Sequence, residues 1–289
     1  MAAIQHVCLI GLGEVGSTLA EDLLGQNIAL SCYDIAFVDE ASKASQNCKR
    51  FPKLRAEGDP ERAVEQAELV ISAVTAEQAL NAAKSVRDFI QPKAWYWDIN
   101  SVSPNTKIAL SDLFSGQTKY VEGAIMSPIQ PKRIESPILL AGPNAQDFAA
   151  IAKDLGFSGS EIFSQELGKA AASKMCRSVI IKGMESLLTE SLITARYYGV
   201  EDQVLDSLTN LMPGVDWKQH SAYMISRSLE HGVRRAEEMR EVHKTVKEAG
   251  LLGLMSAACA DTQSWTADFK QNVRADELTA MLDQFRDQL

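Results

Sequence analysis

The sequence predicts an α/β half with a doubly wound sheet, residues 1–163, followed by an all-α half, residues 164–289. Three observations carry this. Short apolar runs alternate with amphipathic stretches through the first half, the pattern of parallel βαβ units. A G-x-G-x-x-G segment stands between the first apolar run and the first amphipathic stretch. From Ser164 onward no strand pattern recurs, and helical stretches separated by glycines fill the remainder.

Taken in order, strands are predicted at 6–10, 28–33, 69–74, 94–99, 119–125 and 138–141. Helices are predicted between them at 14–24, at 59–66 opened by Asp59-Pro60, at 76–89, and at 105–114 behind Ser103-Pro104. The segment "GFSGSEIFS" closes the last strand-like run, which places the boundary near 163. Beyond it, "GKAAASKMCRSVIIKG" at 168–183 reads as one helix, and breaks are predicted at Gly199, 212–214, Gly232 and 250–253. At about 100° per residue, Lys174, Ser178 and Glu185 fall within roughly 40° of one another and form a polar stripe beside an apolar face.

Composition narrows the functional classes. With 46% hydrophobic and 23% charged residues, the 289-residue chain reads as a soluble globular protein large enough for two cores. A net charge of -9 opposes nucleic-acid binding, which needs a basic footprint, so the expected partner is a small molecule. The longest early apolar run spans only 7–10 before a glycine, so neither a secretory leader nor a membrane span is predicted, and the expected location is cytoplasmic. Five scattered cysteines without C-x-x-C spacing predict reduced thiols, and the acids and histidines lack the spacing of a metal site.

In "HVCLIGLGEVGSTLAEDLL", Gly11, Gly13 and Gly16 complete a Rossmann-type strand, turn and helix. Gly11 suits the tight turn, Gly13 lets backbone approach a pyrophosphate, and Gly16 lets the helix pack on the strand. Leu12, Glu14 and Val15 lie between them, where a helix N-terminus offers amides to phosphate. Asp34 closes the next strand and is placed to accept bonds from a ribose hydroxyl while repelling a 2′-phosphate, which favours NAD. Lys43, Lys49 and Arg50 follow closely enough to meet a phosphate, so NADP stays open.

Four segments resemble the β-hydroxyacid dehydrogenase and 6-phosphogluconate dehydrogenase superfamily: "GLGEVG", "ISAVTAEQA" at 71–79, "DINSVSP" at 98–104, and the helix at 168–183. The resemblance covers most of the chain. It implies cofactor contacts from Val74, Thr75 and Asn100, and a substrate contact from Ser101. It also implies a catalytic lysine several residues after a glycine, which Lys174 after Gly168 matches. Such a lysine exchanges the hydroxyl proton while hydride passes to the nicotinamide, and desolvation brings its pKa towards neutrality.

Three departures stand out. Arg177 and Ser178 occupy the turn where the superfamily carries an asparagine, and the substrate loop reads Met126, Ser127, Pro128 in place of serine and two glycines. Proline supplies no amide there. Glu237-Glu238 replaces a lysine and aspartate, and His231 opens the segment "HGVRRAEEM" as a candidate substrate contact. Arg177, Arg234 and Arg235 are candidates to grip a carboxylate. These features resemble a subgroup whose helical domain has no assigned substrate.

The function implied is an NAD(P)-dependent oxidoreductase acting on a 3-hydroxy acid or a related polar hydroxy compound. Imine reduction on the same fold, or cofactor sensing without chemistry, are the alternatives. Leucine- and methionine-rich stretches such as 251–255 predict a homodimer through the helical half.

Overall fold

The computed structural model describes residues 4–114, 116, 118–210 and 212–289. The chain divides into two compact units, Met1–Lys174 and Met175–Leu289.

In the first unit β1 (His6–Ile10) passes through the glycine turn into α1 (Glu14–Gly25). There follow β2 (Ala29–Tyr33), α2 (Lys43–Lys49), β3 (Arg55–Ala56), α3 (Pro60–Val64), β4 (Leu69–Ser72), α4 (Ala79–Val86) and β5 (Trp95–Asp98). The chain continues with α5 (Pro104–Leu113), β6 (Lys119–Ile125), β7 (Ile138–Ala141), α6 (Ala145–Asp154) and β8 (Ser160–Ser164). The eight strands form one sheet in the order β3-β2-β1-β4-β5-β6-β7-β8. The order reverses beside β1, at its border with β4, which is where open α/β sheets bind ligands at the carboxyl ends of their strands.

Both faces of the sheet are covered, as a parallel sheet requires. Alternate residues show it: Val7 and Leu9 join a core with Trp97, Phe148 and Phe157, while Cys8 and Ile10 join another with Val70, Tyr96 and Tyr120. Local signals set the helix starts. Asp59 caps α3 ahead of Pro60, and the Ser103 hydroxyl accepts the Thr106 amide to cap α5 ahead of Pro104.

The sheet departs from expectation at β7, which runs antiparallel to β6. No α-helix lies between these two strands, so the chain makes no crossover and returns alongside. The first unit also extends past residue 163. The Gly168 and Ala171 amides donate to the Glu122 carboxylate on β6, which ties the first turn of the next helix to the sheet.

That helix is α7 (Lys169–Tyr198), and its residues 169–174 belong to the first unit. The second unit continues with α8 (Glu201–Thr209), α9 (Trp217–Glu248), α10 (Leu254–Ala267) and α11 (Leu278–Arg286) around a core of Leu192, Leu205, Ile225, Leu229, Leu282 and Phe285. Breaks fall at Gly199 and around 212–214 and 250–253 as expected, but α9 runs unbroken through Gly232. A Cβ at Gly232 would stand 2.3 Å from the Gln263 carbonyl oxygen and 2.9 Å from the Ala267 Cβ. Glycine there lets α9 and α10 close on each other and does not end a helix. Among the described residues no helix is long and apolar enough to cross a membrane.

Candidate functional site

The glycine turn is built by local sterics. Gly11 adopts a φ of 98°, and a Cβ at Gly16 would stand 2.0 Å from the Gly11 carbonyl oxygen. Any larger residue at Gly16 would push α1 off β1. By contrast, nothing lies within 4 Å of where a Cβ on Gly13 would be, so the Gly13 Cα faces open space. Gly13 precedes α1 without offering a side-chain cap, so the amino end of that helix opens directly from the glycine turn, the kind of place where an anion is bound.

Asp34 does more than close β2. Its Oδ2 accepts the Leu12 amide at 2.7 Å and its Oδ1 accepts the Ala36 amide at 2.9 Å. The carboxylate therefore clamps the glycine turn to the segment after β2. Asn47, which the sequence did not single out, holds the turn from the other side, its Nδ2 donating to the Leu12 carbonyl at 2.9 Å.

Across the reversal point the loops after β4 and β5 are stitched together. Asn100 Oδ1 accepts the Val74 amide at 2.7 Å, and Asn100 Nδ2 donates to the Ser72 hydroxyl at 2.9 Å. Thr75 follows Val74 directly, at the start of a short 3-10 turn. The Asn100 amide in turn donates to Asp98 Oδ1 at 2.9 Å. The next residue, Ser101, accepts a bond from Lys174 Nζ at 2.5 Å. Lys174 is half-buried, and this bond holds its nitrogen on the loop after β5.

Beneath this loop lies a buried charge cluster that sequence reasoning missed. Lys107 Nζ lies 3.0 Å from Asp98 Oδ2, with 1% and 0% of the two side chains exposed. Lys107 also donates to the carbonyls of Asp98 and Gly123, and the Tyr120 hydroxyl donates to Asp98 Oδ2 at 2.9 Å. Burial beside Asp98 pushes the Tyr120 hydroxyl well above its ordinary pKa, which keeps it a donor. The available signals were a charge closing the wholly buried strand "WYWD" and a lysine on the inner face of α5.

The substrate-loop residues also make contacts within the chain. The Met126 amide donates to the Pro137 carbonyl, Met126 packs against Ala124, Leu139, Ala141 and Ala170, and the Ser127 hydroxyl donates to the Pro128 carbonyl. The loop's polarity is thus largely spent on itself.

In the second unit, Arg177 is exposed and Ser178 is buried one turn beyond Lys174. Lys182 is buried and ion-pairs with Glu238. Arg235 is engaged with the buried Glu185, whose carboxylate also accepts Gln263 Nε2 at 3.1 Å, so its guanidinium grips a carboxylate of its own chain. Burial raises the Glu185 pKa, and Arg235 opposes that rise. His231 Nε2 lies 3.4 Å from Glu230 Oε2; burial and Arg227 hold its pKa below the ordinary value.

Comparison with known proteins agrees with this geometry. Residues 6–155 match the NAD binding domain of 6-phosphogluconate dehydrogenase. The chain belongs to that family. Residues 195–266 match a domain of unknown function, DUF1932. A conserved hypothetical protein from Sinorhizobium meliloti has a solved structure that is 32% identical with a TM-score of 0.79, covering 100% of this chain and 98% of that one. An uncharacterized 28.5 kDa protein of Methanothermus fervidus is 28% identical over 251 residues, 87% of this chain and 94% of the relative. The mitochondrial 3-hydroxyisobutyrate dehydrogenase of Bos taurus is 21% identical over 272 residues, 91% of this chain and 78% of the enzyme.

Membership makes the first unit an NAD-binding Rossmann domain. The residues present fit the dinucleotide: the Cα side of Gly13 is open, Gly13 offers α1 no side-chain cap, and Asp34 follows the end of β2.

Proposed function

We propose that this protein is an NAD-dependent dehydrogenase of a 3-hydroxy acid or a related polar hydroxy compound, with Lys174 as general acid and base. The observation that carries the reading is the 2.5 Å bond from Lys174 Nζ to Ser101, on a loop anchored by Asp98 and Asn100 at the carboxyl end of β5. The similarity to bovine 3-hydroxyisobutyrate dehydrogenase supports the substrate class.

The turn from Gly11 to Gly16 would hold the pyrophosphate, Asp34 the adenosine ribose, and Val74, Thr75 and Asn100 the nicotinamide end. Bound there, a nicotinamide would supply the hydride acceptor for oxidation of the carbinol carbon and the hydride donor for the reverse reaction. Lys174 as a free amine accepts the hydroxyl proton in oxidation, and as an ammonium it returns the proton in reduction. Ser101 orients the amine by accepting a hydrogen bond from it. Met126 and Ser127 would border the substrate. Lys174 favours an alcohol over an imine, because oxidising an alcohol requires a proton acceptor and reducing an iminium ion does not.

The test follows NADH absorbance against hydroxy acids, amino alcohols and imines, with wild type and Lys174→Ala side by side. Turnover of hydroxy acids that depends on Lys174 supports the reading. Imine reduction that survives Lys174→Ala, or tight NADH binding without turnover of any alcohol, overturns it.

Two further results are expected. In Asp34→Ala the affinity for NADP relative to NAD rises by about 10- to 100-fold, because a charge-assisted bond of about 1.5–3 kcal/mol and a repulsion are lost together. Dissociation constants for both dinucleotides check this; an unchanged ratio removes Asp34 from cofactor choice. Leu251 and Leu252, between α9 and α10, and Leu254 and Met255, in the first turn of α10, are exposed, and a second copy pairing through the helical unit would cover them. Light scattering at micromolar concentration should therefore give twice the chain mass, and a monomer contradicts the pairing.

A further inference from the structure

Gly168 precedes α7 and has no side chain with which to cap it. The role falls to a residue more than forty positions earlier. Glu122 Oε2 accepts the Gly168 amide at 2.5 Å and Glu122 Oε1 accepts the Ala171 amide at 2.6 Å. In an ordinary capping box two side chains divide these bonds, one to the cap amide and one to the amide three residues on. Here one carboxylate from the neighbouring strand makes both.

Glu122 is fully buried, and in the register of β5 and β6 its partner is Asp98. Asp98 holds the Asn100 amide, and Asn100 is bonded to Ser72 and Val74. Lys107 lies against Asp98 and donates to the Gly123 carbonyl, so it ties the two strand positions together. The two carboxylates thus anchor the two sides of the Lys174–Ser101 bond: Asp98 the serine loop, Glu122 the first turn of the lysine helix. Lys174 lies three residues past Ala171, about one helical turn, so a displaced first turn carries the amine with it.

We infer that Glu122 is the positioning residue for Lys174, fixing the start of α7 on β6 so that the amine meets Ser101. This rests on the proposed role of Lys174. Two N–H donors require two acceptors, which explains a carboxylate at this position. Glutamine has one acceptor oxygen and would turn an NH2 group towards the second amide. Burial pushes the Glu122 carboxyl pKa up, while Lys107 and the two amides pull it back towards the ionised form.

The experiment labels lysines of the apoprotein with acetic anhydride and reads each site by peptide mass spectrometry, in wild type, Glu122→Gln and Glu122→Asp. Exposed Lys43 reports reagent activity and buried Lys182, in the second unit, reports intact folding. In Glu122→Gln, Lys174 is expected to label about tenfold faster, the factor released when one hydrogen bond of ordinary strength is lost, with Lys43 and Lys182 unchanged. Glu122→Asp keeps two acceptor oxygens and falls between. An unchanged Lys174 rate in folded Glu122→Gln overturns the inference. So does a parallel rise at Lys182, which would mark general loosening. Should Glu122→Gln not fold, Glu122→Asp carries the same two outcomes. Because no substrate is used, loss of the Lys174 role itself, shown by an active Lys174→Ala, is read separately.

Discussion

Lys174→Ala lowers kcat by about 10²- to 10⁴-fold, the range that positioned acid–base groups contribute. NADH affinity stays near wild type, because the glycine turn, Asp34 and Asn100 are held by bonds that do not involve Lys174. The split between kcat and cofactor binding is the informative part. A lysine that merely filled space on α7 would leave both unchanged, and one that supported the fold would degrade both. Steady-state rates together with NADH fluorescence titration separate these cases.

Lys107→Met lowers stability by about 3–5 kcal/mol, the usual cost of removing one partner of a buried ion pair. Asp98 would keep the bonds from Tyr120 and Asn100, which points to the lower end of that range. For a chain of this size the shift in Tm is of the order of 10 °C. Guanidinium unfolding measures it. Adding Asp98→Asn to Lys107→Met should recover part of the loss, since the uncompensated charge disappears while an acceptor remains for the Asn100 amide. A loss below about 1 kcal/mol in Lys107→Met would show that the pair is solvated in the folded protein.

How legible these features were in the sequence differs by physical cause. The strand, turn and helix at the amino terminus were legible because each glycine there answers a local demand: a positive φ at Gly11, an open peptide at Gly13, backbone contact at Gly16. The caps at Asp59 and Ser103 were legible for the same reason. Gly232 was misread because its cause lies on another helix, the Gln263 carbonyl of α10. The direction of β7 depends on a return segment without helical periodicity, and β3, only Arg55-Ala56, is too short and polar to show a strand pattern.

The site divides in the same way. Lys174, Ser101 and Asn100 could be named from motif resemblance, and the structure brings all three onto one loop and helix start. Glu122, Asp98 and Lys107 were not, because a charge inside a strand or helix ordinarily marks a solvated face. Only their mutual pairing reveals that they are buried. Asp34 was singled out as a ribose acceptor, whereas its bonds to the Leu12 and Ala36 amides, which shape the turn, depend on backbone positions that no spacing rule specifies.

The central claim is that the amine of Lys174 gives up and regains a proton. Lys174→Arg tests it most directly, since arginine keeps the positive charge and reach but does not deprotonate at working pH. Measured as NADH formation from an accepted hydroxy acid, Lys174→Arg should be as slow as Lys174→Ala. Turnover close to wild type in Lys174→Arg would show that only the charge matters and would contradict proton exchange.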